Sequence, residues 1–154
     1  MLPLVVNADT SANLITNPGF SNGTTGWSIG AGGTTDTSSG ALVYTYSGSG
    51  NNFVKQEGIT AVNGALYKAV FTVTESGGSA YYGYWDGTNL SGSVITLDTG
   101  QKTYTQYFTA TSTSITIRFV CGASNGNSAY FNGQISDVKY LILDLQKHKY
   151  KNFI

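Results

Sequence analysis

The feature that most constrains the fold is a period-two alternation of apolar and polar residues in short segments. One such segment runs from Leu42 to Tyr46, a second from Tyr67 to Val73, and a third from Ile115 to Cys121. Because successive side chains of a strand point to opposite faces, this alternation places one row on a core and the other in solvent. Val, Ile, Thr, Tyr and Phe, which fill these segments, fit a pleated and half-buried surface. The pattern therefore predicts half-buried β-strands.

Clusters of Gly, Ser, Asn and Asp separate the predicted strands. Asn17-Pro18-Gly19, Ser76-Gly77-Gly78 and Asn132-Gly133 supply residues that tolerate the positive φ of tight turns. Turns at intervals of about 8–12 residues are typical of a two-sheet sandwich, and no segment shows a sustained helical period. We therefore predict an all-β fold, a two-sheet β-sandwich. Further strands are expected at 13–17, 26–30, 53–57, 80–85, 93–97, 103–109 and 135–143.

Length and charge limit the organisation of the chain. Its 154 residues favour one domain with one core, and eight basic residues balance eight acidic ones. No single-sign charge field indicates a nucleic-acid partner, and no apolar run approaches the roughly 18 residues of a membrane span. We divide the chain into an N-terminal arm (1–12), a β-sandwich module (13–145) and a basic C-terminal tail (146–154). The tail is either a solvated end or an arm that docks on a partner subunit.

The sequence offers little catalytic chemistry. His148, the single histidine, lies in the basic tail, so a Ser-His-Asp or Cys-His arrangement would require the tail to fold back into a cleft. Cys121, the single cysteine, continues an apolar row and is expected to be a small buried hydrophobe, and one Cys with one His makes no zinc site. A glycosidase needs two carboxylates flanking the scissile bond, and most acidic residues here stand beside turns. We predict that the chain is not an enzyme.

The densest aromatic segment is Tyr81-Tyr82-Gly83-Tyr84-Trp85. Alternation places Tyr82 and Tyr84 on one face, and Tyr81, Gly83 and Trp85 on the other. A glycine between two large rings suits a core poorly and often marks the close approach of another group. We therefore predict that Tyr81 and Trp85 face outward and flank a slot whose floor is Gly83. The alternative is that these aromatic residues fill the sandwich, with Trp85 covering its end.

A slot of this kind suits a sugar. A pyranose packs its apolar C–H face on an aromatic ring, while its hydroxyl groups need polar partners at the rim. Base stacking is the other use of exposed aromatic rings, but such sites need a basic groove, which the sequence lacks. Outward-facing neighbours are expected to supply the polar partners of the sugar. The predicted carbohydrate-binding residues are Tyr81, Trp85, Gln56, Tyr107 and Arg118.

Short motifs in a fixed order resemble carbohydrate-binding modules of the family 4/9 type. The run from Asn13 to Phe20, followed by Gly26-Trp27-Ser28, resembles the opening of these modules. The pattern continues through Val62 to Tyr67 and closes with Ile135-Ser136-Asp137-Val138, so that it covers about residues 13–143. The resemblance implies a galactose-binding-like β-jelly roll. It also implies a non-catalytic module that binds glycans on the concave face of one sheet.

The resemblance further implies a structural calcium where the first strand, a nearby loop and the last strand meet. Asp137 matches the acidic residue of the closing strand, whereas Ser21 stands where the family usually has an acidic residue. Calcium takes six to eight oxygen ligands, and carboxylates neutralise most of its charge. The ligand set is therefore short of one carboxylate. A structural calcium at Asp137 is the one cofactor that the sequence leads us to consider.

Modules that this chain resembles occur on secreted glycosidases and in virion proteins of bacteriophages, such as tail fibres. The chain begins with Met1, lacks the basic and apolar regions of a secretion signal, and is poor in charge, which favours the phage setting. We therefore expect a glycan-binding module on a virion surface that adheres to host polysaccharide. Other virion subunits are possible partners, and nucleic acid and membrane are not expected. The alternatives are a structural virion component that uses the same fold for subunit contacts, and an extracellular module of a secreted carbohydrate-active enzyme.

Overall fold

A computed structural model of the chain describes residues 11–46, 53–75, 81–85, 90–120 and 133–143. Within these segments the chain forms ten β-strands. They are β1 (Ser28–Ile29), β2 (Gly33–Asp36), β3 (Leu42–Tyr46), β4 (Phe53–Thr60), β5 (Leu66–Glu75), β6 (Tyr81–Trp85), β7 (Leu90–Thr96), β8 (Gly100–Thr109), β9 (Ser114–Val120) and β10 (Gly133–Ile142).

The strands form two five-stranded antiparallel sheets. The first sheet has the order β1-β4-β9-β6-β7, and the second has the order β2-β3-β10-β5-β8. Neighbours such as β4 and β9, or β3 and β10, are far apart in sequence, so the chain crosses repeatedly from one sheet to the other. The predicted all-β two-sheet sandwich is therefore confirmed. Among the described residues, no helical segment has the length and hydropathy needed to cross a membrane.

The core lies between the sheets and combines aromatic with aliphatic side chains. Phe71, on β5 of the second sheet, is fully buried. Its ring centroid lies 4.3 Å from that of Tyr82 and 5.1 Å from that of Phe119, both on the first sheet. Packed aromatic pairs stabilise a core beyond the area that they bury. This cluster therefore joins the two sheets, and it uses the apolar rows that the alternation predicted for β5 and β9.

The opening motif is built into the end of the core. Phe20 and Trp27 are buried, and their ring centroids lie 5.0 Å apart. The Trp27 indole Nε1 donates a hydrogen bond of 3.2 Å to the carbonyl oxygen of Asn17. Asn17 and Phe20 both adopt positive φ, at 49° and 54°, which turns the chain sharply between them. The motif therefore has a structural role, because it packs two large rings into the core.

The strand predicted at 13–17 is absent, and a side chain takes its place. Asn13 Nδ2 donates to the carbonyl oxygen of Val138 at 3.0 Å, and Asn13 Oδ1 accepts from the backbone N–H of Tyr140 at 2.9 Å. The backbone N–H of Leu14 donates to the carbonyl oxygen of Tyr140 at 3.0 Å. The Asn13 amide therefore substitutes for a peptide group in covering the edge of β10.

Strand β2 is the described strand that the sequence did not indicate. It pairs with β3 at the edge of the second sheet, and residues 34–36 are exposed. Because no residue of this edge strand enters the core, it has no apolar row by which alternation could reveal it. Several predictions fall on residues that the structure does not describe. They concern Cys121, His148, most of the predicted arm (residues 1–10) and all of the predicted tail, which lies within residues 144–154.

Candidate functional site

The outer face of the first sheet is built by β4, β9 and β6. Val54 of β4 and Ile117 and Phe119 of β9 are buried in the core. Because strand positions alternate between faces, their neighbours in sequence face away from the core. Lys55 is paired with Arg118, and Arg118 in turn is paired with Gly83 of β6. Arg118 therefore lies on the outer face, on the middle strand of the sheet.

Two cations share one aromatic ring on this face. The Lys55 ammonium nitrogen lies 5.0 Å from the centroid of the Phe53 ring, and the Arg118 guanidinium carbon lies 4.6 Å from it. Lys55 also forms an ion pair with Glu57, with 2.5 Å between Nζ and Oε1. Cation–π contacts of this kind orient the cation over the ring. We call Phe53, Lys55, Glu57 and Arg118 the Phe53 cluster.

Strand β6 contributes both to the core and to the outer face. Tyr82 is fully buried and packs against Phe71, so this tyrosine belongs to the core. Alternation then assigns positions 81, 83 and 85 to the outer side of the strand. Gly83, which the sequence analysis expected as the floor between positions 81 and 85, is buried.

The register of β6 places the predicted aromatic positions beside the Phe53 cluster. Tyr81 is paired with Val120, which is itself paired with Phe53, and Trp85 is paired with Thr116. The side chains of Tyr81 and Trp85 lie outside the described part of the structure. Their strand positions lie on the same face as Arg118. The role of these two residues in sugar stacking stays a prediction.

Gln56 does not lie on this face, and its expected role is corrected. Its side chain is only 4% exposed, on the core side of β4 with Val54. Gln56 Oε1 accepts from the backbone N–H of Thr16 at 2.8 Å, and Gln56 Nε2 donates to the carbonyl oxygen of Thr16 at 3.0 Å. A buried amide is tolerated when both of its polar groups are hydrogen-bonded. Gln56 therefore connects the N-terminal segment to β4 instead of facing a ligand.

Tyr107 is also placed elsewhere, on the opposite side of the sandwich. It belongs to β8 of the second sheet, where it is paired with Lys68 and is 58% exposed. Tyr104 and Phe108 of the same strand are buried, so Tyr107 faces away from the core on the outer face of the second sheet. It cannot contact a ligand together with Arg118. Of the three polar partners expected from the sequence, only Arg118 lies on the outer face of the first sheet.

The sequence analysis missed Phe53 and Lys55. Strict alternation over β4 places Phe53 and Ile59 in one row and Val54 in the other. Hydrophobicity therefore does not reveal that the Val54 row faces the core, and Ile59 is buried only because the register shifts between Gln56 and Ile59. The signal lies in the neighbouring strand: Arg118 is outward, and the residue paired with it must share its face. This information becomes available only when the pairing of β4 with β9 is known.

A cleft of about 380 Å³ lies at the edge of β4, and Glu57 of the Phe53 cluster is among the residues that line it. Strand β1 pairs with β4 only at Val54 and Lys55, and the pairing with β9 shifts register between Gln56 and Ile59. The edge of β4 beyond Gln56 therefore borders open space. The residues that line the cleft are Leu14, Thr16, Gly26, Gln56, Glu57, Gly58, Ile59 and Thr60.

Asp137 is the residue at which the resemblance implies a calcium site. Asp137 has a φ of 54° at a register shift of β10, and its Oδ2 accepts from the Ser136 hydroxyl at 3.2 Å. In the described part of the chain, no three Asp, Glu, His or Cys side chains come together at one point. Calcium also takes backbone and amide carbonyl oxygens as ligands, and these need no cluster of acidic side chains. The structural calcium at Asp137 therefore stays a prediction.

Two exposed groups with displaced pKa values lie on the second sheet. Hydrogen bonds from the backbone N–H and then the hydroxyl of Ser38 lower the pKa of Asp36. A hydrogen bond to Asp98, together with its negative charge, raises the pKa of Lys102. Asp36 belongs to β2 and Lys102 to β8. Neither group is part of the outer face of the first sheet.

The fold is that of carbohydrate-binding modules. No protein-family model matches the sequence, and no curated protein matches it significantly. Comparison with solved structures, however, matches a family 4 module, CBM4, with a TM-score of 0.64 and 24% identity, over 80% of this chain and 99% of that one. TmCBM61, solved in complex with β-1,4-galactotriose, matches with a TM-score of 0.59 and 18% identity, over 86% of this chain and 99% of that one. The predicted carbohydrate-binding-module jelly roll is therefore confirmed as a fold.

A bacteriophage protein has the same fold in part of its chain. The enzymatically active domain of tailspike protein 4 from bacteriophage CBA120 matches with a TM-score of 0.63 and 16% identity. The match covers 84% of this chain but only 21% of the tailspike chain. At this identity the likeness concerns the β-sandwich alone.

Proposed function

We propose that the chain is a non-catalytic module that binds polysaccharide on the outer face of its first sheet. The observation that carries this proposal is the gathering of the Phe53 cluster and strand positions 81 and 85 on one face. Rings offer stacking surfaces for the apolar face of a sugar, and the charged groups beside them offer hydrogen-bond donors and acceptors for its hydroxyls. The fold shared with carbohydrate-binding modules supports the same conclusion.

The backbone beneath this face favours binding with little rearrangement. Three hydrogen-bonded strands carry the residues concerned, and their inner side chains, such as Tyr82 and Phe119, are packed in the core. Sites on strands are held more accurately than sites on loops. A rigid surface also loses less conformational entropy when a ligand binds.

We further propose that the module is displayed on a bacteriophage virion, where it adheres to host polysaccharide. The likeness to part of a phage tailspike supports this setting. A single shallow site of this kind binds weakly, and display of many copies on one particle would multiply its avidity. A structural virion component with the same fold would instead bury this face against another subunit.

A second candidate is a binding module of a secreted carbohydrate-active enzyme. The match to nearly the whole length of CBM4 and TmCBM61 favours it. Both candidates place polysaccharide on the same face, so they differ in setting and not in site. Genes adjacent to the coding sequence distinguish them, because virion proteins are encoded beside other virion proteins.

The test of the binding proposal is a pull-down with insoluble polysaccharides, followed by a glycan array. The variants are Phe53→Ala, Tyr81→Ala and Trp85→Ala, and the matched control is Tyr107→Ala, which removes an exposed ring from the opposite face. We expect each of the three variants to lose about tenfold or more in affinity, which corresponds to about 1.4 kcal/mol, while the melting temperature stays close to that of the native chain.

Two results would contradict the proposal. One is a well-folded native chain that retains no polysaccharide in either format. The other is a loss of binding in Tyr107→Ala that equals the loss in the three variants of the first sheet, because the contact would then lie on the second sheet. Release of soluble sugar from the bound polysaccharide would contradict the non-catalytic part of the proposal.

A further inference from the structure

The described charged residues of the proposed binding face, Lys55, Arg118 and Glu57, carry a net positive charge. Lys55 and Arg118 are adjacent across β4 and β9, and both lie on the Phe53 ring. Lys55 is 23% exposed and is held by Glu57, while Arg118 is partly buried at the centre of the sheet. Sugar hydroxyls are satisfied by amides and carboxylates as well as by cations. Among the charged side chains described on this face, two are cations and one is a carboxylate.

Arg118 has the geometry that suits a carboxylate ligand. Its guanidinium carbon lies 4.6 Å from the centroid of the Phe53 ring, so the ring orients the side chain before any ligand binds. A guanidinium carries five N–H donors in a planar fork that matches both oxygens of a carboxylate. These donors allow a ligand contact in addition to the contacts that Arg118 makes within the protein. Its partial burial strengthens the attraction, because the effective dielectric constant is lower there than in water.

We propose that the polysaccharide bound on this face is an acidic one, whose uronic acid carboxylates bind Arg118 with Lys55 as the second cation. This inference rests on the proposed glycan-binding function and adds the class of ligand. The sugar ring stacks on the aromatic positions of the face, and its carboxylate lies against the Phe53 cluster. Glu57 opposes the ligand, since its carboxylate lies beside Lys55 and repels a second negative charge.

The test compares each acidic polymer with its own neutral form. Polygalacturonate, alginate and hyaluronan are each paired with the carboxyl-esterified polymer, which keeps the sugar backbone and removes the charge. Affinity electrophoresis or calorimetry gives the dissociation constant at low and at moderate salt. We expect at least one acidic polymer to bind tenfold or more tightly than its ester, and its affinity to fall as salt screens the charges.

Two variants connect this preference to the cluster. Arg118→Gln is expected to lose tenfold or more in affinity for the acidic polymer and to lose less for the ester, which has no carboxylate for the guanidinium to bind. Glu57→Gln removes the opposing charge from a side chain that is 55% exposed, so it is expected to fold normally and to bind the acidic polymer a few-fold more tightly. The matched control, Lys139→Gln, removes one positive charge from an exposed position on the second sheet and should leave the affinity unchanged.

The outcomes separate this inference from the function on which it rests. If a neutral polysaccharide binds and Phe53→Ala abolishes its binding, while no acidic polymer exceeds its ester, the acidic class is wrong and the glycan-binding face stands. The acidic class is also overturned if Glu57→Gln weakens the binding of the acidic polymer. If neither acidic nor neutral polymers bind the folded chain, both proposals fail.

Discussion

Truncation of Gln56 is the substitution that best distinguishes a structural residue from a ligand contact. Gln56→Ala removes the acceptor of the Thr16 N–H and the donor to the Thr16 carbonyl, two hydrogen bonds of 2.8 and 3.0 Å. Each bond contributes about 1 kcal/mol net, and a backbone group left without a partner costs about 1–3 kcal/mol when buried. Thr16 is exposed, so water replaces part of what is lost. We therefore expect destabilisation of about 2–3 kcal/mol.

The measurement is the free energy of unfolding from urea titration, together with the melting temperature. For a domain of this size 1 kcal/mol corresponds to about 2–4 °C, so Gln56→Ala should melt about 4–12 °C below the native chain. Gln56→Met keeps the length of the side chain and removes only its polar groups. It should therefore be less destabilised than Gln56→Ala, and the difference between the two reports the packing contribution.

Gln56→Glu tests the same bonds through their dependence on pH. A protonated carboxyl group can both accept from the Thr16 N–H and donate to the Thr16 carbonyl, whereas a carboxylate only accepts. Burial and the facing carbonyl oxygen raise the pKa of the introduced group in the folded state. Its stabilising contribution is therefore present below the unfolded pKa and is lost as pH rises through the folded pKa. The melting temperature of this variant should lie closer to that of the native chain at pH 4 than at pH 7.

The opposite result would refute this interpretation of Gln56. If Gln56→Ala melts with the native chain but no longer binds polysaccharide, then the amide contacts the ligand and its inward orientation is wrong. If the gap in melting temperature between Gln56→Glu and the native chain is the same at both pH values, the paired hydrogen bonds to Thr16 are not formed in solution.

Two further predictions concern the ends of the sandwich. Asn13→Ala should destabilise the chain by about 2–3 kcal/mol, because it removes the hydrogen bonds to Val138 and Tyr140. Its control, Asn22→Ala at an exposed position, should change stability by less than about 0.5 kcal/mol. Urea titration measures the free energy of unfolding of both variants, and equal effects would contradict the prediction. A structural calcium at Asp137 predicts that millimolar calcium raises the melting temperature of the native chain and leaves that of Asp137→Asn unchanged. An unchanged melting temperature of the native chain would contradict a metal site there.

The sequence was sufficient for the fold because the core rows are unambiguous. In β5, Tyr67, Ala69, Phe71 and Val73 are all buried, and the residues between them are only partly buried. Only one of the two rows of this strand is apolar throughout, so alternation predicts correctly which row faces the core. The same holds for Tyr82, whose burial agrees with the two faces that alternation assigned to β6. Strand β2 escaped prediction because an exposed edge strand needs no apolar row.

The site was predicted less well, for two separate physical reasons. Alternation assigns a residue to one of two faces of its strand, but it does not assign the strand to a sheet. Tyr107 was therefore expected beside Arg118, although β8 and β9 belong to different sheets. In β4 the error concerned which of the two rows of side chains faces the core. The hydrogen-bonded Gln56 lies in the core row with Val54, whereas hydrophobicity alone favours the row that contains Phe53. Only long-range contacts resolve either question.

Gln56 affects the proposed binding face because it helps to determine which row of β4 side chains faces the core. A shift of one residue in the register of a strand transfers every side chain to the other face. In β4 both rows contain an apolar residue, so burial of Val54 is only a weak preference over burial of Phe53. The two hydrogen bonds between Gln56 and Thr16 form only when Gln56 faces the core. In that orientation of β4, Phe53 and Lys55 face outward beside Arg118. The glutamine expected to contact the ligand therefore acts from the core side, by fixing which side chains of β4 lie on the proposed binding face.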